Sequence, residues 1–181
     1  LITRFSADRV YLLIDKKPDS EQQKAIDKIK SSFETVIEIK EKRIDVFDTV
    51  SVAKAIVDLI DNISSKDEIY VNITPGRKPQ ALGVLFGCYT RYTRIKKIMY
   101  VVEETKEIIT LPILSFDITD SQKKILENIE EYDKPIELAS EVDTSRAMLY
   151  RNIKDLLDRG FIEAKEKEGY KLTDAGKIAR L

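Results

Sequence analysis

Hydrophobic positions between residues 9 and 114 follow two alternating patterns. Short runs rich in Val, Ile and Tyr predict buried strands over residues 10–14, 35–39, 69–73, 97–102 and 108–111. Longer stretches with apolar residues at helical spacing predict helices over residues 19–33, 47–63 and 78–92. Strands that alternate with helices are typical of βαβ units, so we expect an α/β, Rossmann-like fold with a mostly parallel sheet. Few residues separate the last two strands, which predicts an antiparallel hairpin at the sheet edge.

The first seven residues resemble the end of a helix that runs into a strand, and the chain does not begin with Met. We therefore expect an earlier strand and its loop to be missing from this sequence. The loop after a first strand commonly lies beside the loop after a central strand of a parallel sheet. Part of a ligand site would then be missing as well.

A different pattern begins at residue 115, just after Pro112 has ended the last strand. Residues 115–120 indicate a junction, in which Thr119 or Asp120 can cap a new helix. Beyond the junction we expect a helix, a short helix, a turn, a third helix, a β-hairpin and a final helix. This order is typical of a winged helix-turn-helix. The sequence therefore predicts two domains, a Rossmann-like domain over residues 1–114 and a winged helix-turn-helix domain for DNA binding over residues 115–181.

The predicted third helix turns apolar residues to the core and polar residues outward. On its outer side and in the following hairpin we expect the DNA contacts, from Ser145, Arg146, Ala147, Tyr150, Arg151, Lys154, Lys165 and Lys167. Arginine can pair with guanine in the major groove, while Ser145 and Tyr150 can reach phosphates. From Asp117 onward, however, twelve Lys and Arg face fifteen Asp and Glu, which counts against tight non-specific DNA binding. A winged helix that binds protein is the alternative.

The loop after the third predicted strand carries Gly76, Arg77 and Lys78 and leads straight into a helix. Ligands bind at this edge of a parallel sheet, where backbone N–H groups of the helix start attract anions. Asn72 and Thr74 can supply hydrogen bonds to a sugar or a base. The loop matches neither GxGxxG nor GxxxxGK[ST], so it favours neither a dinucleotide coenzyme nor ATP hydrolysis.

Three further cations follow the second predicted strand and belong near the same edge: Lys40, Lys42 and Arg43. They either widen a positive rim or form a solvated charge run.

Composition narrows the chemistry further. Cys88 is the only cysteine and histidine is absent, which excludes disulfides within the chain, CxxC zinc sites and any histidine base or ligand. We expect no metal, no resident cofactor and no catalytic residue. The sequence shows neither a membrane-length apolar stretch nor a signal segment, so we expect a cytoplasmic protein with no membrane partner.

The segment IYVNITPGRKP, the βαβ order and the attached winged-helix pattern together resemble the CRISPR-associated Rossmann-fold (CARF) transcription regulators of archaea. The resemblance spans nearly the whole chain but depends on one loop and the domain order. It implies a homodimer formed through the Rossmann-like domain, with a cyclic oligoadenylate, typically cyclic tetra-adenylate, across the two-fold axis. By position, the implied ligand residues are Asn72, Thr74, Pro75, Gly76, Arg77 and Lys78. Pro75 stands where the family more often has a small residue.

The leading hypothesis is a dimeric transcriptional regulator of CRISPR-associated genes in antiviral defence. One symmetric ligand would contact both Gly76 loops, and one palindromic operator in double-stranded DNA would contact both winged helices. One alternative is a ring nuclease that cleaves cyclic oligoadenylate slowly, with Lys78 or Arg77 stabilising the transition state. Another is a regulator that senses a different phosphorylated metabolite. The sequence leaves open the operator, the ring size of the ligand and the choice between activation and repression.

Overall fold

The computed structural model describes residues 1–132, 134–166 and 168–181. Its first part is an α/β arrangement in which strands and helices follow one another along the chain. In order, the elements are β1 (Arg9–Asp15), α1 (Ser20–Phe33), β2 (Glu38–Ile44), α2 (Thr49–Asp61), β3 (Ile69–Asn72), α3 (Lys78–Thr90), a short 3-10 helix (Tyr92–Arg94), β4 (Ile95–Val101) and β5 (Ile108–Leu111). The alternation predicted from periodicity is therefore present.

The strands form two small sheets rather than the one sheet that the sequence predicts. β1 pairs with β2 in parallel, and β4 lies between β3, which is parallel to it, and β5, which is antiparallel to it. The predicted hairpin at the sheet edge is thus confirmed. Within residues 1–132 no ladder joins β1 to β3. The Leu13 carbonyl in β1 accepts a hydrogen bond from the Gln80 side chain.

The second strand lies several residues later than predicted, at Glu38–Ile44 instead of residues 35–39. Residues 36 and 37 still belong to the turn that ends α1, because both backbone N–H groups donate to the Phe33 carbonyl. β2 lies at a sheet edge, and most of its residues are charged and exposed. A run of apolar residues therefore does not indicate this strand. Lys40, Lys42 and Arg43 consequently lie within this strand and not after it.

Helices α2 and α3 pack closely against each other in the core of the first part. A Cβ placed on Gly83 would lie 2.6 Å from the Cβ of Val52, and one on Gly87 would lie 2.7 Å from the Cβ of Ile56. The two glycines therefore permit an approach that larger residues would prevent. Around this contact lies a cluster of buried side chains that includes Ile44, Val46, Ile60, Val84, Cys88, Ile95 and Ile98.

The second part begins after residues 112–119 and consists mainly of helices. Its elements are α4 (Asp120–Asn128), α5 (Pro135–Glu141), α6 (Arg146–Asp158), β6 (Ile162–Ala164), β7 (Tyr170–Leu172) and α7 (Asp174–Ala179). β6 and β7 form an antiparallel hairpin. This order agrees with the expected one. A separate buried cluster holds these elements together, with Ile125, Leu126, Ile129, Leu138, Leu149, Ile153, Leu156 and Ile162 among its members.

The two parts meet along α7, which packs against α2 and α3. Beside this contact lies a cleft of about 480 Å³, with Phe47 and Phe86 on one side and Phe116 and Ile178 on the other. The two buried clusters have no residue in common. The division into two domains at residues 114 and 115 stays a prediction.

No helix among the described residues is long and apolar enough to cross a membrane. Residues 1–7 form hydrogen-bonded turns that lead into β1. The expected earlier strand stays a prediction.

Candidate ligand-binding loop and DNA-binding helix

The loop between β3 and α3, residues 73–77, is built around Gly76, and we call it the Gly76 loop. Gly76 has a φ of +102°, a conformation that residues with a side chain rarely adopt. A side chain would also collide here, because a Cβ on Gly76 would lie 2.3 Å from the Oε1 of Gln80. Glycine is therefore required at this position for both its backbone angle and its lack of a Cβ.

Gln80 links the Gly76 loop to β1. It is buried, with only 4% of its surface exposed. Its Oε1 accepts a hydrogen bond from the Arg77 backbone N–H at 3.3 Å, and its Nε2 donates to the Leu13 carbonyl at 2.9 Å. Sequence reasoning missed this residue. The available signal is its place as the third residue of α3, from which a glutamine reaches back to cap the helix start.

Asn72 and Thr74 use most of their side-chain polar atoms in hydrogen bonds that shape the loop. The Oδ1 of Asn72 accepts hydrogen bonds from the Thr74 backbone N–H at 3.1 Å and from its hydroxyl at 2.6 Å. The same hydroxyl accepts from the Val101 backbone N–H at 2.7 Å, which ties the loop to β4. Within residues 1–132 the Asn72 amide nitrogen has no hydrogen-bond partner, and it is the donor that remains for a ligand.

The cations of the loop are exposed, and one of them reaches a neighbouring loop. The Arg77 guanidinium donates to the Oδ2 of Asp19 at 3.3 Å. Asp19 ends the segment of residues 16–19, the β1 loop, which connects β1 to α1. Lys78 begins α3, and its side chain makes no ion pair among the residues that the structure describes. The β1 loop and the Gly76 loop, each of which follows the carboxyl end of a strand, therefore lie side by side.

The three cations of β2 contribute unequally to this edge. Arg43 reaches it, since its guanidinium donates to the Lys16 carbonyl of the β1 loop at 3.5 Å. Lys40 instead binds Glu38 at 3.0 Å, near the start of β2, and its register partner is Tyr11 in the middle of β1. The expected positive rim therefore includes Arg43 but not Lys40, because the strand extends further along the chain than predicted.

Helix α6 presents the side that the sequence assigns to DNA. Ser145 caps the helix, with its hydroxyl accepting from the Met148 backbone N–H at 3.3 Å. Leu149, Ile153 and Leu156 are buried against the core. The predicted contacts are all exposed, namely Ser145, Arg146, Ala147, Tyr150, Arg151 and Lys154.

The cations of α6 are exposed. Arg146, Arg151 and Lys154 make no ion pair with any described residue, whereas Arg91 pairs with Asp61 at 2.7 Å. They are therefore available to an external anion. Sequence reasoning missed Met148, which is exposed on the same helix. It also missed a groove of about 380 Å³ between α5 and the start of α6, lined by Ile136, Ala139, Ser140, Asp143, Thr144, Ser145 and Arg146.

The hairpin after α6 is described only in part. The Lys165 backbone N–H donates to the Gly169 carbonyl at 3.0 Å and continues the pairing of β6 with β7 towards the tip. Lys167 lies outside the described residues. DNA contacts from both lysines stay predictions.

Other chemistry finds little support in the described part of the chain. No group of three or more Cys, Asp or Glu side chains there could hold a metal ion. Burial raises the pKa of the Cys88 thiol to about 12, so the thiol remains protonated near neutral pH and is a poor nucleophile.

Comparison with known proteins gives a family for the first part of the chain. The family model described as "HFX_2341_N:-like, N-terminal" matches residues 2–107, which is more than half of the 181 residues. The chain belongs to the HFX_2341_N-like family. The match includes the β1 loop and the Gly76 loop and ends before α4.

Two solved structures resemble this HFX_2341_N-like chain. Can2 from Sulfobacillus thermosulfidooxidans, in complex with cyclic tetra-adenylate, has a TM-score of 0.47 and 16% identity, over 94% of this chain and 54% of Can2. Protein VC1899 from Vibrio cholerae has a TM-score of 0.46 and 9% identity, over 97% of this chain and 58% of VC1899. The chain thus spans less than two thirds of the length of either structure. No curated protein matches it.

Proposed function

We propose that this protein is a ligand-responsive transcriptional regulator of CRISPR-associated genes. In this proposal the first part is a CARF-like, Rossmann-like sensor of a cyclic oligoadenylate, and the second part is a winged helix-turn-helix that binds double-stranded DNA. One observation carries the proposal above all. A single chain combines a glycine loop suited to phosphate with a helix whose exposed cations have no partner among the described residues.

The Gly76 loop supports the binding of a phosphate. It leads into α3, whose first backbone N–H groups have no partner inside the helix and attract negative charge. Pro79 has no N–H, which leaves the groups of Lys78 and Gln80 for this role. Gly76 carries no side chain that would keep a phosphate away, and Arg77 and Lys78 add positive charge. A cyclic oligoadenylate has several phosphates and can contact two such loops at once.

The proposed homodimer rests on helix α3. Apolar residues occur on all sides of this helix, which is typical of a helix that is covered on all sides. Gly83, Val84 and Gly87 face the core, but Leu82 is 50% exposed. Because α3 begins at Lys78, a two-fold dimer through its exposed side would bring two Gly76 loops towards one axis. Leu82→Glu should therefore shift the protein towards monomer in sedimentation equilibrium.

The proposed DNA interface rests on the geometry of α6. The outer side of its N-terminal half is exposed and carries Arg146 and Arg151, which are able to reach base edges in the major groove. The net negative charge of the second part implies that specific contacts, and not general attraction, contribute most of the affinity. Binding should therefore be selective for a palindromic site and weak on unrelated DNA.

The ligand proposal is tested by calorimetric titration with cyclic tetra-adenylate. Linear tetra-adenylate and AMP serve as comparison ligands. We expect binding at one ring per dimer, with affinity at least about tenfold lower in Arg77→Gln, since a lost charge-assisted contact removes about 1.4 kcal/mol or more. Tighter binding of AMP than of the ring would favour another phosphorylated metabolite. Conversion of the ring into linear products would favour a ring nuclease.

The regulatory proposal is tested on DNA that carries promoters of CRISPR-associated genes. We expect affinity for a palindromic site to change when cyclic tetra-adenylate is added at saturating concentration. A ligand can change DNA affinity only if it binds one dimer geometry better than another. Equal DNA affinity with and without bound ligand would contradict the regulatory role while leaving the ligand site intact.

A further inference from the structure

We infer that Asp19 is an internal competitor of the anionic ligand, which has to displace this carboxylate from Arg77. The inference rests on the proposed function, since it concerns the same loop and the same ligand. It adds a residue that neither the loop motif nor the sequence pattern indicates, and it assigns that residue a role in setting affinity.

The two oxygens of the Asp19 carboxylate have different partners. Its Oδ1 accepts a hydrogen bond from the Gln22 backbone N–H at 2.8 Å and so caps α1. Its Oδ2 accepts from the Arg77 guanidinium at 3.3 Å. The first contact is local, and the second spans 58 residues of sequence. A change that affects only Oδ2 can therefore separate the two contacts.

The framework around this ion pair holds Arg77 opposite Asp19. Gln80 links the Arg77 backbone to Leu13 in β1, and β1 leads into the β1 loop. The guanidinium thus reaches Asp19 from a backbone that is already fixed. A carboxylate resembles one edge of a phosphate in charge and in hydrogen-bond geometry, so Asp19 satisfies Arg77 as a phosphate would.

The exposure of the ion pair suits a contact that a ligand exchanges. The Arg77 and Asp19 side chains are 61% and 56% exposed, and ion pairs at such positions contribute little to stability. A bound polyanion would repel the Asp19 carboxylate once it takes over Arg77. The β1 loop then loses its ion-pair contact with the Gly76 loop, so ligand binding releases one loop from the other.

The experiment uses Asp19→Asn, which keeps the cap on α1 and removes the charge. Asparagine is as good an N-cap as aspartate, so the melting temperature should be unchanged. Asp15→Asn is the matched control, because Asp15 lies at the end of β1 and accepts from the Lys17 backbone N–H without contacting Arg77. Asp19→Ser, which also caps a helix, is the second variant in case Asp19→Asn folds poorly.

We expect Asp19→Asn to bind cyclic tetra-adenylate about twofold to fivefold more tightly than the unaltered protein, as loss of an exposed ion pair implies. Asp15→Asn should give a smaller gain. In an Arg77→Gln background, Asp19→Asn should give no more gain than Asp15→Asn gives there. This dependence on Arg77 identifies competition for the guanidinium, because removing a negative charge alone would act in either background.

Two outcomes overturn the inference in distinguishable ways. Equal gains from Asp19→Asn and Asp15→Asn, kept in the Arg77→Gln background, would show a general charge effect and leave the ligand site in place. Absence of cyclic tetra-adenylate binding in every variant and in the unaltered protein would overturn the proposed sensor, and the role of Asp19 with it.

Discussion

Two glycines with positive φ differ in the space around them, so replacing each with alanine distinguishes the cost of backbone strain from the cost of a steric collision. Gly76 has a φ of +102° and lies against Gln80, whereas Gly160 has a φ of +71° and nothing within 4 Å of the position that a Cβ would occupy. We expect Gly160→Ala to reduce the free energy of unfolding by about 1 kcal/mol through strain alone. Gly76→Ala should cost about 2 kcal/mol or more, because the Cβ also displaces the Gln80 amide. Urea unfolding of both variants measures the difference, and equal losses would contradict it.

The residues of the Gly76 loop were recognisable from sequence, but their partners were not. A glycine followed by two cations at a predicted helix start indicates an anion site from local chemistry alone. Gln80 and Leu13 are 67 residues apart, and their contact depends on how β1 lies beside α3. In the sequence Asp19 is only the first residue of a predicted helix, because its contact with Arg77 is tertiary. Local patterns therefore indicated the loop and missed the side chains that position it.

At the scale of elements, the free energy of unfolding depends on pH through two carboxyl groups at the ends of α2. Hydrogen bonds from the Ser51 backbone and hydroxyl, then from the Val50 backbone, lower the pKa of the Asp48 carboxyl at its start. A hydrogen bond from the Arg91 guanidinium lowers the pKa of Asp61 at its end. Both groups have a lower pKa folded than unfolded, so their contribution is present above the ordinary aspartate pKa and is lost as the pH falls through the folded value.

We therefore expect the free energy of unfolding to fall below about pH 4 and to stay nearly constant from about pH 6 to 8. No histidine is present to titrate in the upper range, and the Cys88 pKa is raised to about 12. Urea unfolding across this pH range is the measurement. Asp48→Asn keeps a capping side chain without a titrating group, so its stability should depend less on acid. A marked change between pH 6 and 8 would contradict the expectation.

Helix α6 allows a prediction about DNA binding in which position decides the outcome. Arg151 is exposed on the proposed DNA side of α6 and has no ion pair among the described residues. Lys124 is also an exposed cation, but it lies on α4. Arg151→Gln should weaken binding to the operator and reduce the slope of log K against log salt by about one if the guanidinium contacts a phosphate. Lys124→Gln removes the same charge and should change neither. Equal effects of the two variants would indicate general electrostatics.

The elements were predictable where caps and apolar spacing agree. Helices α1 and α3 begin within a residue of the predicted positions, because Asp19 is a cap and Pro79 suits a first helical turn. β2 was misplaced because its mostly charged sequence, EIKEKRI, lies at a sheet edge with one buried residue, Ile44. The break between the two sheets was also unpredictable, since apolar spacing locates the strands but does not show which of them pair.

At the scale of the whole molecule, Arg159 fixes the segment that joins the two parts. Its guanidinium donates to the Phe116 carbonyl at 2.5 Å and to the Asp117 carbonyl at 3.4 Å, and it pairs with Asp155 at 3.3 Å. It also lies 4.8 Å from the centre of the Phe161 ring. The end of α6 therefore holds the connecting segment directly. The sequence could not show this contact, because two of the acceptors are backbone carbonyls, which every residue carries.

Arg159→Gln should loosen this connection without altering the exposed side of α6. If a ligand-induced change reaches the second part through residues 112–119, the variant should bind cyclic tetra-adenylate and operator DNA separately with nearly unchanged affinity. The change in DNA affinity on adding ligand should become smaller, because a loosened segment transmits less of the difference between the two states. Lys124→Gln is the control and should keep the full ligand effect. A full effect in Arg159→Gln would assign the coupling instead to α7, which packs on α2 and α3 independently of Arg159.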